Sequence, residues 1–288
     1  MAKEIVKVGF VKLGNIGASR IVDLLLDERA DREDVDVRVL GTGAKMTPDC
    51  AADASRLLDW DPDLVVVVSP NAALPGPKRA REMAKEKGKP CIVISDAPAK
   101  KAVPKLKEGG FGYIIIPGDP MIGARREFLD PVEMSLFNAD VLSVLSITGV
   151  AKLLQEEIDA VVEAVKSGAS GPSGASGEEV KLPQIIATAE KSVERAGFSN
   201  PYAKAKALAA YSMTEKVAEL DVKGCFMMQK PEEYVPVVAA AHELLREAAK
   251  LAFEAREMEK QTDSLVREPH ARSGEIMRKV GLLEKPSA

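Results

Sequence analysis

Residues 9–20, Gly9-Phe-Val-Lys-Leu-Gly-Asn-Ile-Gly-Ala-Ser-Arg20, follow an apolar strand-like run and open an amphipathic stretch. In a parallel sheet this is where a helix N-terminus receives phosphate. A dinucleotide fingerprint carries a glycine at the place of Lys12; this chain keeps only Gly14 and Gly17. Where an acid should close strand two to accept ribose hydroxyls, the sequence reads VLGTGAK. Lys12 and Lys45 can meet phosphate as point charges, and the amides near Gly14 and Asn15 and the Thr42 hydroxyl can donate to it. Each lysine alone also reads as a solvated surface charge. The loop suits an anion but not NAD.

The other strand-ending loops have a similar composition. They are Gly41-Thr42-Gly43-Ala44 after the second run, Ser69-Pro70-Asn71 after the third and Ser95-Asp96-Ala97 after the fourth. Small residues let a ligand approach the backbone, although turn formation alone explains many such loops. The fifth loop gathers Asp119, Arg125, Arg126, Glu127, Asp130 and Glu133 around the apolar Met121 and Ile122, with Phe137 and Asn138 just beyond. The arginines either brace a domain junction against these carboxylates or meet a ligand there. Phe137 reads as core or as a surface for ring stacking.

No nucleophile elbow, P-loop, kinase set or zinc spacing occurs. Cys50, Cys91 and Cys225 share no pairing or metal spacing and read as small hydrophobes of a reducing compartment. His242 and His270, the only histidines, read as surface or capping residues, so no metal centre is expected. A reaction run between two bound rings needs none of these groups, only their positioning.

The elements that hold these loops alternate. Strand-like runs at 4–11, 35–40, 64–68, 91–95 and 113–116 are separated by helical patterns at about 15–29, 48–59, 75–87 and 98–108. Crossover helices imply parallel strands, and unbroken Val/Ile runs imply burial on both faces. From Asp130 the period becomes helical, with further helices at about 184–196, 201–218 and 232–262. The fold class is α/β: a Rossmann-like open parallel sheet over residues 1–128, and a helical bundle domain over 129–288. A small extra β segment is expected near 219–230, where DVKGCFMMQ has strand-like composition and could pair with another subunit. The Ser/Gly/Ala/Pro stretch 167–177 reads as a connection.

With 40 basic and 44 acidic residues and a formal charge of −4, the chain offers no broad surface for nucleic acid or an anionic membrane. No run is long enough to span a bilayer and no signal peptide is evident, which implies a cytoplasmic protein. Asn (15, 71, 138, 200) and Gln (155, 184, 229, 261) are scarce, as in proteins of hot-living organisms.

VKVGFVKLGNIGASR, SDAPAK, the long stretch 115–149, KLPQIIAT and GCFMMQKPEEY together resemble the archaeal coenzyme F420-dependent methylenetetrahydromethanopterin dehydrogenases across the whole chain. The resemblance implies reversible hydride transfer between the methylene carbon of the tetrahydromethanopterin carrier and C5 of a deazaflavin, in methanogenesis and one-carbon metabolism. It implies a dissociable coenzyme F420, no metal or prosthetic group, and a homohexamer built as a trimer of dimers. The expected coenzyme contacts are Lys12, Leu13, Gly14, Asn15, Ile16, Gly41, Thr42, Gly43, Ala44, Ser69, Pro70, Asn71, Ser95, Asp96 and Ala97. The pterin is expected against Asp119, Met121, Ile122, Arg125, Arg126, Phe137 and Asn138, with Asp119, Glu127, Asp130 or Glu133 stabilising the methenyl cation. An NAD(P)-dependent dehydrogenase of another branch and a non-catalytic pterin-binding protein are the competing readings.

Overall fold

A computed structural model describes residues 5–26, 32–120, 125–169 and 180–287. Met121, Ile122 and most of the 167–177 stretch fall outside the described residues. The chain runs β1 (Val6–Lys12), α1 (Gly17–Leu26), β2 (Val35–Gly41), α2 (Pro48–Ala52), α3 (Ala54–Asp59), β3 (Leu64–Ser69), α4 (Pro75–Glu86), β4 (Cys91–Asp96), a 3-10 turn, α5 (Val103–Glu108) and β5 (Gly112–Ile116). There follow α6 (Pro131–Ile147), α7 (Val150–Lys166), β6 (Gln184–Ile186), α8 (Ala189–Ala196), α9 (Pro201–Val222) and α10 (Pro231–Gln261).

Among the described residues six strands form one parallel sheet in the order β2-β1-β3-β4-β5-β6. The order reverses between β1 and β3, so the loops leaving these two strands part around a crevice at their carboxyl ends. Val and Ile fill β3, β4 and β5, and every residue of those strands is buried. One face carries Val8, Phe10, Val66, Ile94 and Ile114 against Val141 and Leu145 of α6, Leu154 of α7, Ala210 of α9 and Leu245 of α10. The other carries Val65, Val67, Val93 and Ile115 against Leu57, Leu58, Ala80, Ala84 and Leu106.

The Rossmann-like parallel sheet expected from the sequence is present. Two expectations for its second half fail. Residues 184–196 are not one helix: Gln184–Ile186 extends the sheet beside β5, and Thr188 then caps α8. A strand of three residues is too short for its pattern to register in the sequence. The extra β segment near 219–230 does not exist. α9 continues to Val222 and passes into a π-helical turn at Lys223–Met227. Packing against α10 overrides the local strand composition, because Gly224 lies so close to α10 that a Cβ there would stand 2.6 Å from Val238 Cγ2. The histidines are not surface residues either: His242 is 7% exposed and His270 1%. His242 Nδ1 lies 2.8 Å from Glu133 and His270 Nε2 2.6 Å from Asp159. Cys91 and Cys225 are buried as expected, whereas Cys50 is half-buried.

Gly149 joins α6 to α7 at φ 96°, and a Cβ there would sit 2.0 Å from the Ser192 carbonyl oxygen. Gly149→Ala therefore combines left-handed backbone strain with a backbone clash, and should lower unfolding free energy by more than about 2 kcal/mol. A fall in the urea midpoint at unchanged slope checks it.

Candidate active site at the strand carboxyl ends

Asp119, in the turn after β5, is fully buried and lies against the N-terminus of α1. Its two carboxylate oxygens accept from Gly17 N and Ala18 N, each at 2.7 Å. Gly17 must lack a side chain, since a Cβ would meet Val141 Cγ1 at 2.6 Å and Asp119 Oδ1 at 2.9 Å. Burial pushes the Asp119 carboxyl up to about 7, against the pull of the two amides. The position where a dinucleotide fold seats pyrophosphate is thus filled by the protein's own carboxyl group.

Two openings lie near this plug among the described residues. The first is a cleft of about 200 Å³ lined by Lys12, Gly14, Asn15, Ser19, Arg20, Gly41 and Gly43. Gly14, at φ 82°, donates its amide to Gly43 O at 3.0 Å, and Thr42 N donates to Lys12 O at 3.0 Å, so the β1 and β2 loops brace each other. Lys12 Nζ pairs with Asp23 at 2.7 Å and lies 5.5 Å above the Phe10 ring. Arg20, more than half exposed, approaches the same aspartate at 3.8 Å. Two cations share one carboxylate, which leaves the cleft net positive.

The second opening is a cavity of about 330 Å³. Pro70, Asn71 and Leu74 line it from the β3 loop, Asp96 and Pro98 from the β4 loop, and Met46 from the approach to α2. Ala218, Asp221 and Val222 of α9, with Cys225 and Phe226 of the π turn, close it. Gly14 links the two openings: a Cβ there would touch Met46 Sδ at 2.8 Å and Pro70 Cδ at 2.9 Å.

Besides Asn71, two carboxyls line the cavity. Asp96 caps the turn that follows β4 by accepting from Ala97 N, and burial, with the charge of Asp119 next, holds it well above the usual carboxylate range. Asp221 is 4% exposed, neither of its oxygens has a hydrogen-bond partner among the described residues, and burial pushes it up to about 8. Among the described residues no three His, Cys, Asp or Glu side chains gather to hold a metal.

Of the residues singled out in the sequence, Lys12, Gly14, Asn15, Gly41 and Gly43 line the cleft, and Pro70, Asn71 and Asp96 line the cavity. Leu13 and Ile16 are buried core residues. Thr42 and Ala44 lie on the β2 loop rim and Ala97 is half-buried in the β4 turn. Ser69 and Ser95 are fully buried; the Ser95 hydroxyl donates to Ser69 O at 2.6 Å and accepts from Ala72 N at 3.0 Å, which ties the β3 and β4 loops together.

The candidates expected near the pterin do not form one cluster of free groups. Arg125 lies over the Tyr234 ring at 4.0 Å and donates to Gly224 O and Met228 O. Arg126 is exposed. Glu127 accepts from the Tyr234 hydroxyl at 2.9 Å, and Asp130 caps α6 through Val132 N and Glu133 N. Phe137 is buried against the His242 ring at 4.7 Å, and Asn138 donates back to Met134 O within α6.

Sequence reasoning missed Arg20, Met46, Leu74, Pro98 and the whole α9 wall. The one available signal for Asp221 was an acid at helical spacing from Ala218 and Cys225, and reading 219–230 as a strand concealed it.

Residues 6–287 match the family described as methylene-5,6,7,8-tetrahydromethanopterin dehydrogenase. The chain is 59% identical over 282 residues to the F420-dependent methylenetetrahydromethanopterin dehydrogenase of Archaeoglobus fulgidus, covering 98% of this chain and 99% of that one. It is 51% identical over 284 residues to the enzyme of that name from Methanocaldococcus jannaschii, again over 98% and 99%. A solved structure of an F420-dependent methylene-tetrahydromethanopterin dehydrogenase in complex with methylene-tetrahydromethanopterin and coenzyme F420 superimposes with a TM-score of 0.92 at 45% identity, covering 98% of this chain and all of that one.

The Asp221 carboxyl carries a stability prediction. Its folded value, about 8, lies above the ordinary 3.8, so between these limits the native state holds a proton that the unfolded chain has released. Stability from this residue is therefore full below about pH 4 and declines as pH rises towards 8. Asp221→Asn, which cannot ionise, should be the more stable protein at pH 8, by on the order of 2 kcal/mol, with the advantage shrinking towards pH 5. Urea unfolding at the two pH values checks it.

Proposed function

Because the chain belongs to the methylenetetrahydromethanopterin dehydrogenase family, we propose that it transfers hydride reversibly between methylenetetrahydromethanopterin and coenzyme F420, giving the methenyl cation and the reduced deazaflavin. The observation that carries this reading is the Asp119 carboxyl on the first amides of α1. It closes the pyrophosphate seat that NAD or NADP needs and leaves two linked openings, one apolar and one cationic. A flat ring with a single anionic tail matches that pair of shapes and charges.

In this reading the deazaflavin ring enters the cavity bounded by Pro70, Asn71, Asp96 and Asp221, and the phosphate-bearing tail runs over Gly14 and Asn15 towards Lys12, Arg20, Gly41 and Gly43. Residues 1–128 supply the coenzyme loops and residues 129–288 the opposing wall. The pterin lies on the side of the fifth loop, towards Arg125, Arg126 and Phe137. The protein contributes approximation of the two reacting carbons and exclusion of water, worth up to several powers of ten in effective molarity. The exposed acids Glu127 and Asp130 favour a neighbouring cation electrostatically.

The resemblance supports a cytoplasmic homohexamer from a heat-loving archaeon. Exposed Val132 and Leu136 on α6, Phe226 and Met227 on the π turn, and Phe253 on α10 are apolar surface of the kind an assembly would cover. No single described helix is long and apolar enough to cross a membrane.

Anaerobic mixing with methylenetetrahydromethanopterin should bleach the deazaflavin absorbance when coenzyme F420 is the acceptor and give no reduction of NAD or NADP. Transfer to NADP would sink the coenzyme assignment, and no transfer to any acceptor would favour a pterin-binding protein. Lys12→Ala should raise the KM for coenzyme F420 about tenfold with kcat unchanged, the signature of lost uniform binding to the tail; a salt series on steady-state kinetics checks it.

A further inference from the structure

Accepting a hydride at C5 of a deazaflavin moves an electron pair through the conjugated ring onto N1, and N1 must then take a proton. The overall reaction is methylene carrier plus oxidised coenzyme plus one proton, giving methenyl cation plus reduced coenzyme. Once the ring fills the cavity and displaces its water, a side chain of the lining is the group placed to hold that proton close to the ring.

We propose that Asp221 is this acid: it donates the proton to N1 of the deazaflavin as the hydride reaches C5, and takes it back in the reverse direction. The proposal rests on the ring occupying the cavity as argued above. Asp221 faces that cavity from α9, is 4% exposed and has no hydrogen-bond partner on either oxygen among the described residues. A buried polar group is normally paired, so an unpaired one at a ligand cavity has kept its bonding capacity for the ligand. Asp96, the other carboxyl in the lining, is committed to Ala97 N. Asp119 is committed to Gly17 and Ala18, and Cys225 is the remaining titratable group of the lining. Lys100 and Asp119 act on Asp96, and Asp221 adds its own charge there.

The balance is complete. The methylene C–H bond breaks and its electron pair forms the new C–H bond at C5, leaving the cation on the pterin. The displaced ring pair forms the N1–H bond with the Asp221 proton. The carboxylate left behind carries the charge opposite to that of the new cation, then regains a proton from solvent on product release. Burial, which favours the neutral carboxyl up to about pH 8, keeps Asp221 loaded at neutral pH.

The test combines three readouts. In the intact enzyme, kcat for methylene oxidation should fall as pH rises, and kcat for methenyl reduction should fall as pH drops. Asp221→Asn should bind oxidised coenzyme F420, followed by its fluorescence, within about threefold of the parent, yet turn over about 100-fold more slowly with both limbs flattened. An infrared difference between parent and Asp221→Asn at pH 7 should contain a protonated carboxyl band. Parent-like turnover with unchanged limbs in Asp221→Asn, or an ionised Asp221 at pH 7, would overturn the proton-donor role while the coenzyme assignment stands. Val222→Trp tests the premise separately by filling the cavity from its rim. Loss of coenzyme binding is expected; undiminished binding would remove both the ring's placement and the role of Asp221.

Discussion

The pair of hydrogen bonds from Gly17 N and Ala18 N to the Asp119 carboxyl sets the terms for the site. A helix N-terminus presents unsatisfied amides and a partial positive charge, and a carboxylate answers both. Because Asp119 comes from the turn after β5, the contact also draws the far side of the sheet onto its first crossover helix. Gly17 and Val141 are then so close that no side chain fits between α1 and α6. One interaction thus fixes the packing of the helical half on the sheet and removes the usual seat for a pyrophosphate.

Ligand space is displaced sideways as a result. It opens on one hand over β1 and β2, where Lys12 and Arg20 stand beside loops braced by their own amides. On the other it opens over β3 and β4, where Pro70, Leu74, Pro98 and Phe226 make an apolar recess with carboxyls at its base. The reversal of strand order between β1 and β3 is what lets the two openings lie side by side. Asp96 and Asp221 are buried in the lining of the recess, and that burial raises both carboxyls, so the site's shape and its proton affinity have one cause.

The sheet was legible because unbroken runs such as Leu64–Ser69 and Cys91–Asp96 permit little else, and the loops they end in fell where parallel topology requires. The placement of Lys12, Gly14 and Asn15 at a cleft beyond β1 was legible for the same reason. Three features were not. β6 is three residues long and gains its strand identity from the edge of β5 rather than from its own pattern. The π turn at Lys223–Met227 depends on Gly224 meeting Val238, a contact 14 positions away in the sequence that composition does not announce. Asp119 was singled out as a ligand group, whereas its partners are backbone amides about a hundred residues earlier, and no side-chain pattern signals backbone donors.

The most direct test is the structure of the enzyme with oxidised coenzyme F420 alone. The account predicts the ring between Asp96 and Asp221, the tail phosphate over Gly14, Asn15 and Lys12, and the amides of Gly17 and Ala18 still on Asp119. A phosphate seated on those two amides with Asp119 turned away, or a ring lying outside the cavity, would contradict it.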